Sequence, residues 1–146
     1  MVLLSIDPGE DLGWSLFGSG RLLACGLNGP EVNGQAIDRV IIEKPMIYPG
    51  SRQKARPADV ITLAIRAGEV GGMFKSQDIH VDYVEPHIWK GGSIPKDIMQ
   101  ARIFRRLDDR EKAALDLAGR GVAPSKRHNI IDSIGIGLWG LRRLAI

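Results

Sequence analysis

A single cysteine, Cys25, stands among the 146 residues. That excludes an internal disulfide and leaves no cysteine spacing from which a zinc finger could be built. No apolar stretch approaches the ~20 residues needed to span a bilayer. The first apolar run is broken at Asp7 and has no basic leader, so it does not read as a signal peptide. Internal repeats and low-complexity tracts are also missing. Net charge is only +3, too small an excess to identify a nucleic-acid binder by itself. What remains is a chain with 44% apolar and 25% charged residues, ordinary for a soluble globular protein of a reducing compartment. Its length predicts one domain over residues 1–146.

What the sequence does contain is carboxylates at the margins of apolar runs. Asp7 closes Val2-Leu3-Leu4-Ser5-Ile6 and precedes Pro8-Gly9; Glu43 closes Val40-Ile41-Ile42 and precedes Lys44-Pro45. Asp132 lies in a segment with Ile130, Ile131, Ile134, Ile136, Leu138 and Trp139, apolar on nearly every side. Each has a plainer reading: Asp7 as a turn former, Glu43 as a surface residue paired with Lys44. A carboxylate beside a buried run is costly unless its charge is compensated. Three brought together by a fold would suit hard divalent cations, which prefer oxygen ligands. His128, four residues before Asp132, is about 40° away on a helical wheel. Asn129, three before, shares roughly the same face, and either could join Asp132 in one site. A histidine near a helix start can equally serve as a cap or face solvent.

The periodicity predicts an α/β fold. Residues 2–7, 14–17 and 22–27 read as an antiparallel meander with short turns, and 39–43 as a fourth, buried strand. Residues 47–57 lack any period and read as an exposed loop. Val60, Leu63, Ala64, Ala67, Val70 and Phe74 fall at helical spacing behind Pro57, which suits a first helical turn. Residues 79–84 form an imperfect fifth strand, ended by Pro86. Residues 95–107 read as a helix, 108–117 as its continuation or a further helix, 119–125 as a linker, and 128–144 as a final helix. A mixed five-stranded sheet flanked by helices follows, because the fourth and fifth strands are joined by a helical crossover. Gly135, Gly137 and Gly140 each cost the last helix about 1 kcal/mol relative to Ala. They would let it lie close against the strand carrying Asp7.

Positive charge is clustered. Arg52, Lys54 and Arg56 share one loop, Arg102, Arg105 and Arg106 another segment, and Lys126-Arg127 precede His128. Each cluster alone is compatible with solvated surface charge. Beside carboxylates, such clusters point to a polyanion whose phosphate approaches an acidic centre.

Four short motifs in order carry a family resemblance. Ile6-Asp7-Pro8-Gly9 with Gly13-Trp14, Ile42-Glu43-Lys44-Pro45, Pro86-His87-Ile88-Trp89-Lys90, and Asn129 through Gly137 resemble the RuvC family of Holliday-junction resolvases, its compact phage-type members most closely. The resemblance implies an RNase H-like fold. It implies that Asp7, Glu43 and Asp132 are the catalytic metal ligands, with a fourth supplied by His128 or Asn129. Family members usually place that ligand three residues before the aspartate, whereas His128 is four before. Lys90 and Lys96 resemble lysines that hold the junction backbone. One departure is the interval from Leu27 to Arg39, too short for the full helix such folds normally carry there.

The function so implied is structure-selective, paired hydrolysis of four-way DNA junctions. It would use two Mg2+ ions per site, with Mn2+ as a substitute, in a homodimer acting in the cytoplasm of a bacterium or phage-infected host. DNA contacts are expected from Tyr48, Arg52, Lys54, Arg56, Lys90, Lys96, Lys126 and Arg127, and none with a membrane. The rival readings are an RNase H-like nuclease acting on RNA–DNA hybrids or flaps, a sugar-kinase or actin-like ATPase domain, and a non-catalytic DNA-binding relative. The ATPase reading needs two domains around the nucleotide, for which this chain is too short. Intact carboxylates argue against the non-catalytic one.

Overall fold

Strand alternation divides the core in two. The structure, a computed structural model, describes residues 1–30, 34–50 and 55–145. In β1 (Val2–Asp7), Leu4 and Ile6 face one side of the sheet, while Leu3, Ser5 and Asp7 face the other. β2 (Gly13–Gly18) and β3 (Arg21–Leu27) continue from β1 as an antiparallel meander. β4 (Arg39–Glu43) pairs parallel to β1, and β5 (His80–Val84) parallel to β4, giving the order β3-β2-β1-β4-β5. The crossover between the two parallel strands is α1 (Pro57–Lys75), as the period predicts.

α1 covers one face, where Ala67 and Phe74 pack with Leu4, Ile6, Trp14, Leu16, Val40 and Ile42. The other face carries α2 (Pro86–Lys90), α3 (Lys96–Arg106), α4 (Asp109–Gly119) and α5 (Arg127–Gly140). Its core gathers Leu3, Phe17 and Ile41 from the sheet with Trp89, Ile103, Ile130, Ile134 and Leu138 from the helices.

Two boundaries differ from the sequence reading, and an alternative it left open at residues 108–117 falls to the further helix. Pro86 does not merely end β5; it occupies the first turn of α2, where its missing N–H costs nothing. Residues 108–117 are not a continuation of α3. Asp108 accepts from the Glu111 N–H at 2.9 Å while Glu111 accepts from the Asp108 N–H at 2.9 Å, a reciprocal cap that starts α4 afresh. The last helix begins at Arg127 and stops at Gly140 rather than Leu144. Arg143 must turn back there to reach Glu111 and the Gly20 carbonyl, which continued helix would prevent.

α5 lies directly on β1 and β2. A side chain at Gly137 would overlap the Phe17 ring and the Ser5 hydroxyl, and one at Gly13 would overlap the backbone of Asn129. The glycine positions thus set the depth of the helix, as expected from sequence.

Candidate active site

Asp7 and Glu43 are the last residues of β1 and β4. The parallel register pairs Ile6 with Ile42, so the two carboxylates leave the sheet side by side at one edge. Alternation sends both toward α5. Carboxyl ends of adjacent parallel strands are the usual place for a ligand in such sheets, because loops diverge there and leave a crevice. α5 supplies Asp132 to the same edge. Its depth and register are held by Ser5, whose Oγ donates to the Ser133 carbonyl at 2.8 Å and lies 2.7 Å from Ser15 Oγ.

Lys90, the last residue of α2, joins these carboxylates. Its Nζ lies 3.5 Å from Asp132 Oδ2 and 3.8 Å from Glu43 Oε2, and 4.7 Å from the centroid of the Trp89 ring. The fully buried Trp89 donates from Nε1 to Glu43 Oε2 at 2.7 Å. Lys44, the obvious partner for Glu43 in sequence, pairs instead with Glu85 at 3.4 Å.

Burial pushes the Asp7 carboxyl well above the ordinary carboxylate range. The charges of Glu43 and Asp132 push it further, against the weaker pull of Lys90 and the Gly9 N–H. Burial also raises Glu43, against Lys90 and the Trp89 hydrogen bond. Burial alone would lower Lys90, but Glu43, Asp132 and Asp7 together raise it. The three carboxylates therefore act on one another electrostatically and share one ammonium.

Among the described residues, no three Asp, Glu, His or Cys side chains converge closely enough to hold one ion as they stand. Lys90 bridges two of the carboxylates instead. The donor set still suits a hard cation: three carboxylates stand at one edge, and Asp7 is buried among like charges that Lys90 and the Gly9 N–H offset only in part.

Of the two residues expected as a further ligand, Asn129 lies near the turn that follows Asp7. A methyl group placed on Gly9 would sit 3.4 Å from Asn129 Oδ1, which puts that carboxamide over the turn following Asp7. His128 is half-buried one residue earlier in α5.

The residues expected to meet DNA are spread more widely. Tyr48 lies at the rim of the site: burial raises its phenol, as do the charges of Glu43 and Glu85, while Lys90 opposes them. Lys96 is exposed at the start of α3. Arg56 pairs with Asp59 at 3.1 Å, Lys126 with Asp11 at 3.2 Å, and Arg127 donates to the Val122 carbonyl at 3.3 Å. Arg52 and Lys54 lie outside the described residues. Two contributors are invisible to sequence periodicity. Trp89 reads only as an apolar residue, although it stands beside Lys90 in a motif. Arg66 projects from α1 to the carbonyls of Gly9 and Glu10, at 3.2 and 2.6 Å, and braces the turn after Asp7.

Comparison with solved structures places this architecture. A fowlpox virus resolvase, solved with its Holliday-junction substrate, superposes with a TM-score of 0.59 at 19% identity, over 97% of this chain and 99% of that one. RuvC from Thermus thermophilus, solved in complex with a Holliday-junction substrate, gives 0.53 at 19% identity, over 94% and 90%. The chain has the RNase H-like fold. No protein-family model matches the sequence, and no curated protein matches it either. At this identity the likeness is one of fold, and the chemistry has to be argued from the site itself.

Proposed function

We propose that the chain is a single-domain, metal-dependent endonuclease that resolves four-way DNA junctions by paired phosphodiester hydrolysis. One observation carries this reading: Asp7, Glu43 and Asp132 meet at one sheet edge, around Lys90, on a fold shared with two junction-bound resolvases. Asp7, Glu43 and Asp132 would hold divalent cations, Mg2+ in the first instance and Mn2+ as a substitute, with Asn129 or His128 as a further ligand. Two ions held there would supply an activated water and charge neutralisation for in-line phosphodiester hydrolysis.

The chain's own residues do the rest. Trp89 fixes the orientation of Glu43 through its 2.7 Å hydrogen bond. Lys90 balances the carboxylates in the free protein, and its ammonium is placed to meet a backbone phosphate. Arg66 holds the turn that aims Asp7. Tyr48, at the rim, is positioned to stack on a base unpaired at the junction centre, an interaction worth roughly 1–3 kcal/mol.

Symmetric cutting of a junction needs two sites, hence a two-fold homodimer. α1 offers the face for it. Ile61, Ile65 and Met73 are about half exposed, and Gly68 and Gly72 have open space above them. No helix among the described residues is long and apolar enough to cross a membrane. The action is assigned to the cytoplasm, where junction DNA and Mg2+ coexist.

The test is a labelled four-way junction beside linear duplex and RNA–DNA hybrid, with and without Mg2+. Paired, Mg2+-dependent cuts in the junction alone are expected. Asp7→Asn should abolish cutting while leaving junction binding nearly intact, since losing a negative charge does not weaken attraction to phosphate. Preferential cutting of the hybrid, or full activity of Asp7→Asn, rejects the reading.

A further inference from the structure

The end of α3 carries a basic recess that the carboxylate site does not use. Arg102, Arg105 and Arg106 line it with Leu144 and Ala145, around a volume of about 300 Å³. Arg102 stands three and four residues before the other two, so all three guanidinium groups share one helix face, where like charges repel. Six of the twelve described arginines have a side-chain partner, among them Arg39 with Asp82, Arg56 with Asp59 and Arg143 with Glu111. Arg110, Arg120 and Arg142 are unpaired singly, whereas Arg102, Arg105 and Arg106 are unpaired together around one recess. None of these three forms an ion pair or a side-chain hydrogen bond among the described residues. The dipole of α3 favours cations in its last turn, which accounts for Arg105 and Arg106 but not for Arg102.

The recess is also built rather than incidental. Its opposite wall is the turn after α5, held in place by Arg143, which donates to the Arg106 carbonyl at 2.6 Å and to the Gly20 carbonyl at 2.8 Å. Leu144 is buried beneath it. Three exposed guanidinium forks with no acidic partner among the described residues match the oxygens of a phosphate group, which arginine binds two at a time.

We infer that this recess binds phosphodiester groups and grips a duplex flank of the DNA substrate away from the cutting site. The inference rests on the nuclease reading above. From Asp132 to Gly140, α5 rises about 12 Å, and the recess lies past that end, on the sheet edge opposite the carboxylates. A duplex running along α5 would then meet the recess roughly four or more base pairs from the scissile bond, at ~3.4 Å per base pair.

The experiment compares wild type with the triple variant Arg102→Gln, Arg105→Gln, Arg106→Gln, binding a labelled four-way junction in EDTA over a range of salt. Three lost phosphate contacts should flatten the slope of log affinity against log salt by about 2.7 units. Over a fourfold rise in salt the wild type then loses roughly 40-fold more affinity than the variant. Cutting at saturating DNA in Mg2+ should be unchanged. Arg105→Lys, which keeps the charge, should keep most of the slope, and urea unfolding verifies that each variant is folded. A slope unchanged in the triple variant, beside a wild type that binds and cuts, overturns the recess alone. A wild type that binds no DNA overturns the nuclease reading and the recess with it. Inorganic phosphate or pyrophosphate raising the melting temperature of wild type but not of the variant, with equal DNA slopes, would mark a free-anion site and overturn the assignment to DNA.

Discussion

Ser5 and Ser133, 128 residues apart in sequence, are joined by a 2.8 Å hydrogen bond from a fully buried hydroxyl to a fully buried carbonyl. Asp7 lies two residues beyond Ser5 on the same strand face, and Asp132 immediately precedes Ser133. The bond therefore sets the register between the two carboxylates. Ser5→Ala leaves the Ser133 carbonyl without this donor and should cost about 1–3 kcal/mol by urea unfolding. Cleavage should fall as well, because α5 is freed to shift along β1. A variant of wild-type stability would show that this contact does not fix the helix.

Two glycines should respond oppositely to the same substitution. Gly137→Ala forces a methyl into Phe17 and Ser5 and should destabilise by about 1–3 kcal/mol, or more if the sheet cannot yield. Gly68→Ala enters open space on α1 and should stabilise the isolated subunit by up to ~1 kcal/mol. On the proposed dimer face the added methyl should weaken association. Urea curves for both variants, with sedimentation for Gly68→Ala, check this.

Glu111 is only 1% exposed, yet it is ionised. Burial pushes its carboxyl up, but Arg143 at 2.6 and 2.8 Å and the N–H groups of Leu22 and Asp108 outweigh that and bring it down to about 2. A depressed carboxyl contributes stability that is present above its unfolded value near 4.5 and is lost as pH falls toward 2. Unfolding free energy should decline over that window, and Glu111→Gln should decline less steeply there. Arg143→Met, which strands a buried carboxylate, should cost about 3–5 kcal/mol at neutral pH.

Trp89→Phe separates packing from hydrogen bonding at Glu43. The ring stays buried, but the carboxylate loses a donor at 2.7 Å, a charge-assisted bond worth about 1.5–3 kcal/mol. If Trp89 orients Glu43 for catalysis, kcat should fall by roughly tenfold or more while junction affinity holds. A loss confined to affinity would place Trp89 in DNA binding instead.

The sequence by itself determined the fold, because strand and helix are written in local periods. The alternation in β1, the apolar spacing of α1 and the short meander turns leave few ways to pair five strands. It also marked Asp7, Glu43 and Asp132, since a carboxylate ending a buried run is conspicuous in one dimension. Only the tertiary structure decided what compensates them. Lys44 follows Glu43, but successive residues of an extended chain point to opposite sides, so Lys44 meets Glu85 and Glu43 is left for Lys90. That lysine arrives on a one-turn helix too short for any period to reveal. Glu111 reads in sequence as one more charge on a polar helix. Its burial depends on Arg143 returning from the end of the chain, and the end of α5 at Gly140 depends on that same return. Charge compensation is a matter of distance in space rather than spacing along the chain, and for that reason it became legible only in the folded molecule.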